Sequence, residues 1–447
     1  MSTHTISPPT TETARPRGIP ILENVPTSLE DLANYIYGHA PKLTKKEQIL
    51  LVEGGSQYGA LNQFTQNLND AFRLRGHATA QLNLKDNPHA NQELDQIIKN
   101  FQPSFILSFN AIHEAIELSN RKTLGQHLKV PSLSWFVDHP LIQLPRITEV
   151  DYPEKINAHF AIEGFRNSMP RVVKNPLKAF NTTLPFAGFP SFETQKPFKE
   201  RSISLLVPCS FTPFEEKRNA VKFPKFPAFE ALCKEAIDYL IASPEHPADT
   251  FLLDGLERLG LNPKEVHAYQ YPRLMAWINH SAEMYWRENF LKHAKNIPLT
   301  LCGNGWDKAS FLSDKWTVLP PPESGTSVAL YGDSQAVWHI FPMYPESGHD
   351  RIDNATANGA NLITEPKEWL KGYYGKALQY IPQDLSSVEA TLHDYLNAPL
   401  ADREAQANYA QRFTLTNRSF FNSVIDIEGI LERYALRQAL SEYPTSP

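Results

Sequence analysis

The 447-residue chain is poor in cysteine, in basic charge and in long apolar runs. Its three cysteines, Cys209, Cys233 and Cys302, form no Cys-x-x-Cys pair, so neither a disulfide framework nor a cysteine zinc site is indicated, and a reducing cytoplasm is the expected compartment. The formal net charge of -6 argues against nucleic acid as a partner, because nucleic-acid binding normally needs a basic domain or stripe. No stretch approaches eighteen uninterrupted apolar residues, so no integral membrane segment is expected.

Metal-binding patterns are missing from the sequence as well. The fifteen histidines contain no His-Glu-x-x-His arrangement, and no Asp-x-Asp pair stands at the end of a predicted strand. We therefore expect no metal site. The first twenty residues are polar and rich in proline and threonine, without the apolar stretch of a signal peptide. Residues 1–45 are interpreted as a disordered leader and a short N-terminal segment.

The first half of the chain alternates buried strands with helices. An apolar run at residues 49–52 is followed by a turn containing Gly54 and Gly55, and apolar residues then recur at helical spacing. Further strand patterns cover residues 104–109 and the segment that ends in Asp138 and His139. This alternation is typical of a parallel sheet with helical crossovers. It predicts a Rossmann-like domain over residues 46–195.

The second half repeats the pattern. Strand patterns begin at residues 203–210 and return at 297–302, 336–341 and 361–364, whereas the intervening residues about 214–293 have helical spacing. The sequence therefore predicts an α/β protein whose second Rossmann-like domain spans residues 200–430 and carries this helical insertion. A C-terminal helix is predicted for residues 431–447.

A polar loop, PESGHDRIDNATANGANLITE, leads into a helix in the second half. Ser347 and Asp350 have the spacing of an N-cap and the third helical residue, which predicts a helix start whose free N–H groups and dipole attract a phosphate. Arg351 adds a bidentate donor for a diphosphate. His349 titrates near neutral pH, and Glu346 can accept hydrogen bonds from sugar or ribose hydroxyls.

The segment GHDRIDNATANGANLIT resembles the C-terminal signature of the CgeB-like (spore maturation protein type) glycosyltransferases, in which His-x-Arg precedes an aliphatic residue, an aromatic residue, a Glu, small residues, Gly-Ala and a buried strand. Weaker likeness extends to VPSLSWFVDHP, LCGNGW and YAQRFTLTNRSFFNSVIDI, so the resemblance covers most of residues 46–430. It implies a GT-B fold, with two Rossmann-like domains facing across a cleft and the nucleotide-sugar held mainly by the C-terminal one. GT-B enzymes generally work without a bound metal.

Two positions depart from that signature. Asn354 stands where the family usually has Glu, and Asp353 stands where it has an aromatic residue. In related enzymes that Glu is associated with the ribose hydroxyls. An Asn still hydrogen-bonds a hydroxyl, so Asn354 is kept as a donor-binding residue, with an atypical nucleotide or affinity as the consequence.

Two glycine turns have more than one interpretation. Asn304, Gly305 and Trp306 either contact the nucleotide base or form a tight turn with a core tryptophan. The turn with Gly54 and Gly55 borders the acceptor side of a glycosyltransferase, holds S-adenosylmethionine in a methyltransferase, or simply needs small residues; it lacks the Gly-x-Gly-x-x-Gly spacing of dinucleotide sites.

Asp138 and His139 end a predicted strand on the same edge as the first glycine turn. An inverting transfer needs a general base to take the acceptor's hydroxyl proton, and either side chain has that chemistry. The alternative is that Asp138 caps the turn before Pro140 while His139 packs in the domain interface.

Together these observations predict a hexosyltransferase-like, metal-independent enzyme that moves a sugar from a nucleotide-diphosphate sugar, a UDP-sugar first of all, to a hydroxyl of a glycan, a protein or a lipid-linked sugar. The residues Ser347, Gly348, His349, Asp350 and Arg351 are predicted to bind the diphosphate and to stabilise the charge that develops on the leaving group, with His349 and Arg351 as catalytic residues. Two other classes stay open: an S-adenosylmethionine-dependent methyltransferase, and a catalytically silent GT-B-like binding protein.

Overall fold

The computed structural model describes residues 18–56, 59–85, 87–118, 121–160, 162–223, 226–322, 324–341 and 348–442. Most of the predicted leader lies outside these ranges, as do Glu346 and Ser347 of the polar loop. None of the helices in the described part of the chain combines the length and apolar character that a membrane crossing needs.

Strands in the described ranges fall into two groups along the chain. The first group is β1 (Gln48–Glu53), β2 (Ala78–Asn83), β3 (Phe105–Phe109), β4 (Ser132–Phe136), β5 (Lys155–His159) and β6 (Phe180–Thr183). The second group is β7 (Ile203–Pro208), β8 (Thr300–Cys302), β9 (Thr317–Leu319), β10 (Ser334–His339), β11 (Asn361–Thr364) and β12 (Gln379–Tyr380).

The helices that connect and cover these strands divide in the same way. Those up to the end of β6 are α1 (Leu29–Gly38), α2 (Ala60–Arg75), α3 (Ala90–Gln96), α4 (Leu124–Leu128), α5 (Leu144–Thr148) and α6 (Ile162–Val172). Those after it are α7 (Phe214–Arg218), α8 (Pro227–Ala242), α9 (Ala248–Arg258), α10 (Gln270–Lys292), α11 (Ser324–Gly332), α12 (Asp350–Ala357), α13 (Glu368–Tyr374), α14 (Val388–Asn397), α15 (Leu400–Asn417) and α16 (Phe420–Glu442).

Each strand group forms its own parallel sheet of six strands. The first has the order β2-β1-β3-β4-β5-β6 and the second the order β12-β11-β10-β7-β8-β9. The central strands β3, β4 and β5 are buried along their whole length, and β3 and β4 are accordingly rich in apolar residues. The predicted pair of Rossmann-like domains is confirmed by these two sheets.

The predicted helical insertion is present as α7 to α10, between β7 and β8. It packs against the first domain as well as its own. Leu252 and Ile278 of the insertion share one hydrophobic cluster with Phe136, Leu141 and Met169 of the first domain. Because this cluster joins the two halves of the chain, the insertion bridges the domains.

The last helix also returns to the first domain. Helix α16 is continuous from residue 420, so the predicted boundary at residue 431 falls inside it. Phe420 and Val424 pack in the core of the first domain with Phe64 and Leu68 of α2. Glu428 accepts hydrogen bonds from both the Nε and the Nη2 of Arg75, each at 2.9 Å. The C-terminal helix therefore fastens the second domain to the first.

The segment after β6 crosses directly over α12. The N–H of Gly188 donates to the carbonyl of Arg418 at 2.7 Å, and the N–H of Ser191 donates to Oδ1 of Asn358 at 2.8 Å. A Cβ atom at Gly188 would lie 2.3 Å from the carbonyl oxygen of Asp353. Only glycine lets the linker approach the α12 backbone this closely.

We expect Gly188→Ala to lower the free energy of unfolding by about 1–3 kcal/mol, because the methyl group must displace backbone atoms. The matched control is Gly372→Ala in α13, where nothing lies within 4 Å of the new methyl group. That control should be neutral or stabilise by up to about 1 kcal/mol, since alanine favours helix over glycine. Urea unfolding of both variants checks this, and equal midpoints for the two would contradict it.

Candidate functional site

Helix α12 begins two residues later than predicted. Its N-cap is His349, in extended conformation, and Nδ1 of this imidazole accepts a hydrogen bond from the N–H of Arg351 at 3.2 Å. Asp350 is therefore the first helical residue, and the predicted N-cap role of Ser347 with Asp350 at the third position is wrong. The cap moves because an imidazole nitrogen supplies the acceptor that a hydroxyl was expected to supply.

The other residues of this loop surround the helix start. The carboxylate Oδ1 of Asp350 lies 2.5 Å from Nδ1 of His349. Burial raises the pKa of Asp350, but the neighbouring His349 and then Arg351 outweigh it and hold that pKa below its usual value. Gly348 packs closely against the ring of Trp369, because a Cβ atom at this position would lie 3.1 Å from that ring.

Arg351 reaches from α12 to the carboxyl end of β10. Its Nη1 donates to Nδ1 of His339 at 3.0 Å. His339 is buried, and burial together with the charge of Arg351 holds its pKa well below the ordinary value. The imidazole is therefore neutral, accepts at Nδ1 and carries its proton on Nε2, which has no hydrogen-bond partner among the described residues.

A second buried guanidinium approaches from α10. Nη1 of Arg287 donates to the carbonyl of Ser210 at 2.9 Å, just after β7, and Nη2 pairs with Glu283 one turn earlier. Arg287 and Arg351 both act electrostatically on the buried thiol of Cys209, although burial dominates and raises its pKa. The two guanidinium groups thus converge at the carboxyl ends of β7 and β10.

A third cation stands beside them after β11. Burial lowers the pKa of Lys367 to about 8, while the adjacent Glu365 raises it. The Lys367 ammonium lies 5.5 Å above the ring of Phe341, which stacks on His339. We name Arg287, Arg351 and Lys367 the cationic cluster. Together with the start of α12 it offers several fixed donors to an anion.

Asn354 faces the linker between the domains. Its Oδ1 accepts from the N–H of Phe189 at 3.3 Å, and its Nδ2 donates to Oδ2 of Asp350 at 3.4 Å. The side chain is buried. A contact with ribose would have to replace these hydrogen bonds, so the predicted donor-binding role of Asn354 stays a prediction.

Asp353, which stands where the family signature has an aromatic residue, is paired with neighbouring side chains. The carboxylate is buried, accepts from the hydroxyl of Tyr374 and pairs with Nη2 of Arg418 at 3.4 Å. The Arg418 guanidinium also stacks 5.3 Å from the ring centre of Tyr373. The acidic residue therefore neutralises an arginine at the start of α16 and holds α12 in place.

The turn after β8 is part of the core. The Trp306 ring is buried, donates its Nε1–H to the carbonyl of Cys209 at 3.1 Å and stacks on Phe211. The carbonyl of Asn304 accepts from the N–H of Phe211 at 2.8 Å, and a Cβ at Gly305 would lie 2.1 Å from the Phe211 carbonyl. Of the two interpretations, the tight turn with a core tryptophan matches this packing. A base contact through the Trp306 ring does not match it.

The residues predicted at the edge of the first sheet separate into two environments. Asp138 accepts from Nδ2 of Asn110 at 3.0 Å and from Nε2 of Gln143 at 2.6 Å, and stays half-buried. His139 is buried, with its Nε2 at 3.6 Å from Oδ2 of Asp249 on α9. It therefore faces the interface with the insertion.

The first glycine turn has neighbours within its own domain. A Cβ at Gly54 would lie 3.2 Å from Ile112, and one at Gly55 would lie 3.5 Å from Lys85. That Gly54 and Gly55 lie beside the acceptor or a cofactor stays a prediction.

The sequence interpretation missed several members of the site. The strand pattern that contains His339 gives no sign of its role, although this residue ends β10 at the carboxyl edge of the second sheet. Arg287 and Glu283 lie in a helix whose pattern gives no sign that its polar face points to another element. Among the described residues, no group of three His, Cys, Asp or Glu side chains is arranged to hold a metal ion.

No family model and no curated protein matches the chain. The solved structures that it resembles include a glycosyltransferase involved in avilamycin A biosynthesis (11% identity, 87% of this chain and 96% of that chain, TM-score 0.44). Another is sucrose-phosphate synthase from Thermosynechococcus elongatus (10% identity, 88% of this chain and 100% of that chain, TM-score 0.46). A third is an alpha-glucosyltransferase in complex with UDP and DNA (10% identity, 87% of this chain and 100% of that chain, TM-score 0.47).

We expect Asp353→Asn to lower the free energy of unfolding by about 3 kcal/mol, because the buried Arg418 loses its counter-charge. The matched control is Asp95→Asn, at an exposed position in α3, which should stay within about 0.5 kcal/mol of the parent. Chemical denaturation measures both. A double variant, Asp353→Asn with Arg418→Met, should recover part of the loss, and additive losses would contradict the pairing.

Proposed function

We propose that the protein is a glycosyltransferase that transfers a sugar from a nucleotide-diphosphate sugar to a hydroxyl-bearing acceptor. The observation that carries the proposal is the convergence of Arg287 and Arg351 at the carboxyl ends of β7 and β10. Ligands of open α/β sheets bind at this edge. A diphosphate matches the site because it needs several donors and two or more positive charges.

The cationic cluster would act on the leaving group. As the bond between the anomeric carbon and the diphosphate breaks, negative charge grows on the diphosphate oxygens, and buried guanidinium groups stabilise it more strongly than water does. His339 supports this because its neutral Nδ1 accepts from Arg351 and fixes the guanidinium. Three cations and a helix start would supply, without a metal, the charge neutralisation that the reaction needs.

The acceptor side is assigned to the first domain. His349 brings the helix start near that domain, with its ring centre 6.4 Å from that of Phe186. Asp138, at the end of β4, stands on the corresponding edge of the first sheet. Within this proposal the enzyme is CgeB-like, hexosyltransferase-like and cytoplasmic. A UDP-sugar is the donor to test first, and a glycan, a protein or a lipid-linked sugar is the acceptor.

One observation favours a second candidate, a GT-B-like binding protein without activity. The amide of Asn354 already has partners at both ends, and the family residue at this position is Glu. Such a protein would bind a nucleotide-sugar without turning it over. The methyltransferase alternative has no comparable observation among the described residues, where a Cβ added at Gly54 or Gly55 would lie nearest to aliphatic carbons of Ile112 or Lys85.

We expect one nucleotide diphosphate among UDP, GDP and dTDP to raise the melting temperature of the protein, whereas CMP, S-adenosylmethionine and NAD do not. A ligand at a hundred times its dissociation constant stabilises the folded state by about 2.7 kcal/mol. Arg351→Ala should abolish the shift, and Arg351→Lys should weaken it because lysine lacks the planar fork. Differential scanning fluorimetry measures each case.

Arg433→Ala is the control, since this arginine is exposed on α16. It should respond to the nucleotide like the parent protein. Stabilisation by S-adenosylmethionine alone, or by no nucleotide diphosphate, would contradict the proposal. Binding with no turnover of any donor across a broad acceptor screen would favour the inactive binding protein.

A further inference from the structure

The imidazole of His349 has two neighbours that make opposite demands on one ring nitrogen. Its Nδ1 lies 3.2 Å from the backbone nitrogen of Arg351, whose N–H donates to it, and 2.5 Å from Oδ1 of Asp350. An imidazole nitrogen either accepts a hydrogen bond or carries a proton and donates one. The contact with Arg351 needs the lone pair of Nδ1, whereas the contact with Asp350 needs a proton on it. The two hydrogen bonds therefore exclude each other.

The two contacts correspond to two protonation states of His349. When the proton is on Nε2 alone, Nδ1 accepts from the N–H of Arg351 and caps α12. When both ring nitrogens are protonated, Nδ1–H donates to Asp350, and the N–H of Arg351 loses this acceptor. The heavy atoms already stand at both distances, so the exchange requires a proton and no movement of the backbone.

Asn354 fixes Asp350 for its contact with His349. The Nδ2 of Asn354 donates to Oδ2 of Asp350 at 3.4 Å, one helical turn away, while Oδ1 lies against His349. The family signature has a glutamate at position 354, which would bring a second negative charge next to Asp350. Like charges four residues apart on a helix are destabilising. The asparagine at this position therefore suits a carboxylate that pairs with His349.

The His349 ring lies between the cationic cluster and the first domain. Its centre is 5.2 Å from that of His339, 5.0 Å from that of Phe341 and 6.4 Å from that of Phe186 in the first domain. The buried Nε2 of His339 has no partner among the described residues, which independently indicates that a ligand completes this place. The His349 side chain is 30% exposed, so an anion at the cluster can reach it.

We propose that Asp350 is a positioning residue that holds His349 in its doubly protonated state, and that the site takes up its anion in this state. The N–H of Arg351 and the Nε2–H of His349 then donate to the anion. The helix dipole disfavours a cation at a helix start, so this state needs both Asp350 and the anion. The inference rests on the proposed function. It deepens it by naming the protonation state in which the site binds a diphosphate.

The other charged or titratable groups near the His349 ring are Arg351 on α12, His339 at the end of β10, and Lys367 with Glu365 after β11. Burial and the charge of Arg351 hold the pKa of His339 well below its ordinary value, so this ring stays neutral. Burial lowers the pKa of Lys367 to about 8 and raises that of Glu365. Lys367 and Glu365 are unchanged in every variant below, so differences between variants report on His349 and Asp350.

The principal test is the binding of inorganic pyrophosphate to the whole chain at about pH 5.5 and about pH 7, within the range where imidazoles change charge. Isothermal titration calorimetry in EDTA measures the ratio of the two affinities. His349→Asn keeps a helix-capping side chain that does not titrate. We expect the preference for the lower pH to be about tenfold larger in the parent than in this variant, because the parent gains a charged hydrogen bond. Pyrophosphate becomes more negative as pH rises, which alone would favour the higher pH.

Asp350→Asn separates positioning from simple charge. By charge alone, removal of a carboxylate beside an anion site tightens binding at both pH values. Without Asp350, however, the doubly protonated His349 loses its counter-charge, so we expect the pH dependence of pyrophosphate binding to move to lower pH. The matched control is Asp402→Asn, which removes an exposed carboxylate from the first turn of α15. It should leave both the affinity and its pH dependence as in the parent.

Nitrogen NMR of the histidine side chains observes the protonation state in the parent protein, without any variant. In the pyrophosphate complex both ring nitrogens of His349 should carry protons. An unprotonated Nδ1 in the complex, the same pH dependence in the parent and His349→Asn, or an unmoved pH dependence in Asp350→Asn would overturn the inference. Failure of pyrophosphate to bind the parent at either pH would instead remove the proposed function itself.

Discussion

The structure depends on buried positive charge at one edge of the second sheet. Taking a guanidinium or ammonium group out of water costs several kcal/mol unless partners compensate. Arg287 has Glu283, and Arg351 has Asp350 in the same turn of helix together with the neutral acceptor His339. These partners satisfy the cluster only in part, because Nε of Arg287 and Nε2 of His339 keep no partner among the described residues. An anion is the natural remaining partner.

Three segments join the two domains: the linker over α12, the insertion that packs on the first domain, and α16, which returns to it. Helix α10 has the central place among them. Its apolar side belongs to the cluster shared by the domains, while Arg287 on the same helix reaches the carbonyl of Ser210 after β7. One helix therefore connects the domain interface with the cationic cluster.

Much of the fold followed from the sequence, because buried parallel strands are short continuous apolar runs and helices have a period near 3.6. Strands such as β2 and β9 escaped notice because their exposed positions break the apolar run. The candidate site was harder to predict than the fold. Arg351 could be proposed from the sequence because it follows a loop at a helix start, whereas Arg287 comes from the middle of a long helix, and only tertiary packing directs it to the end of β7. Trp306 shows the opposite difficulty, since a tryptophan after a glycine turn fits a core as well as it fits a contact with a base.

The proposed function requires the cationic cluster to bind a diphosphate, whatever base and sugar are attached to it. Isothermal titration calorimetry with inorganic pyrophosphate in the presence of EDTA tests this directly, since it needs neither the donor nor the acceptor. We expect one binding site per chain, weakened by added salt and lost in a variant with both Arg287→Ala and Arg351→Ala that remains folded by circular dichroism. Pyrophosphate binding that survives in that variant, or no binding to the parent protein, would contradict it.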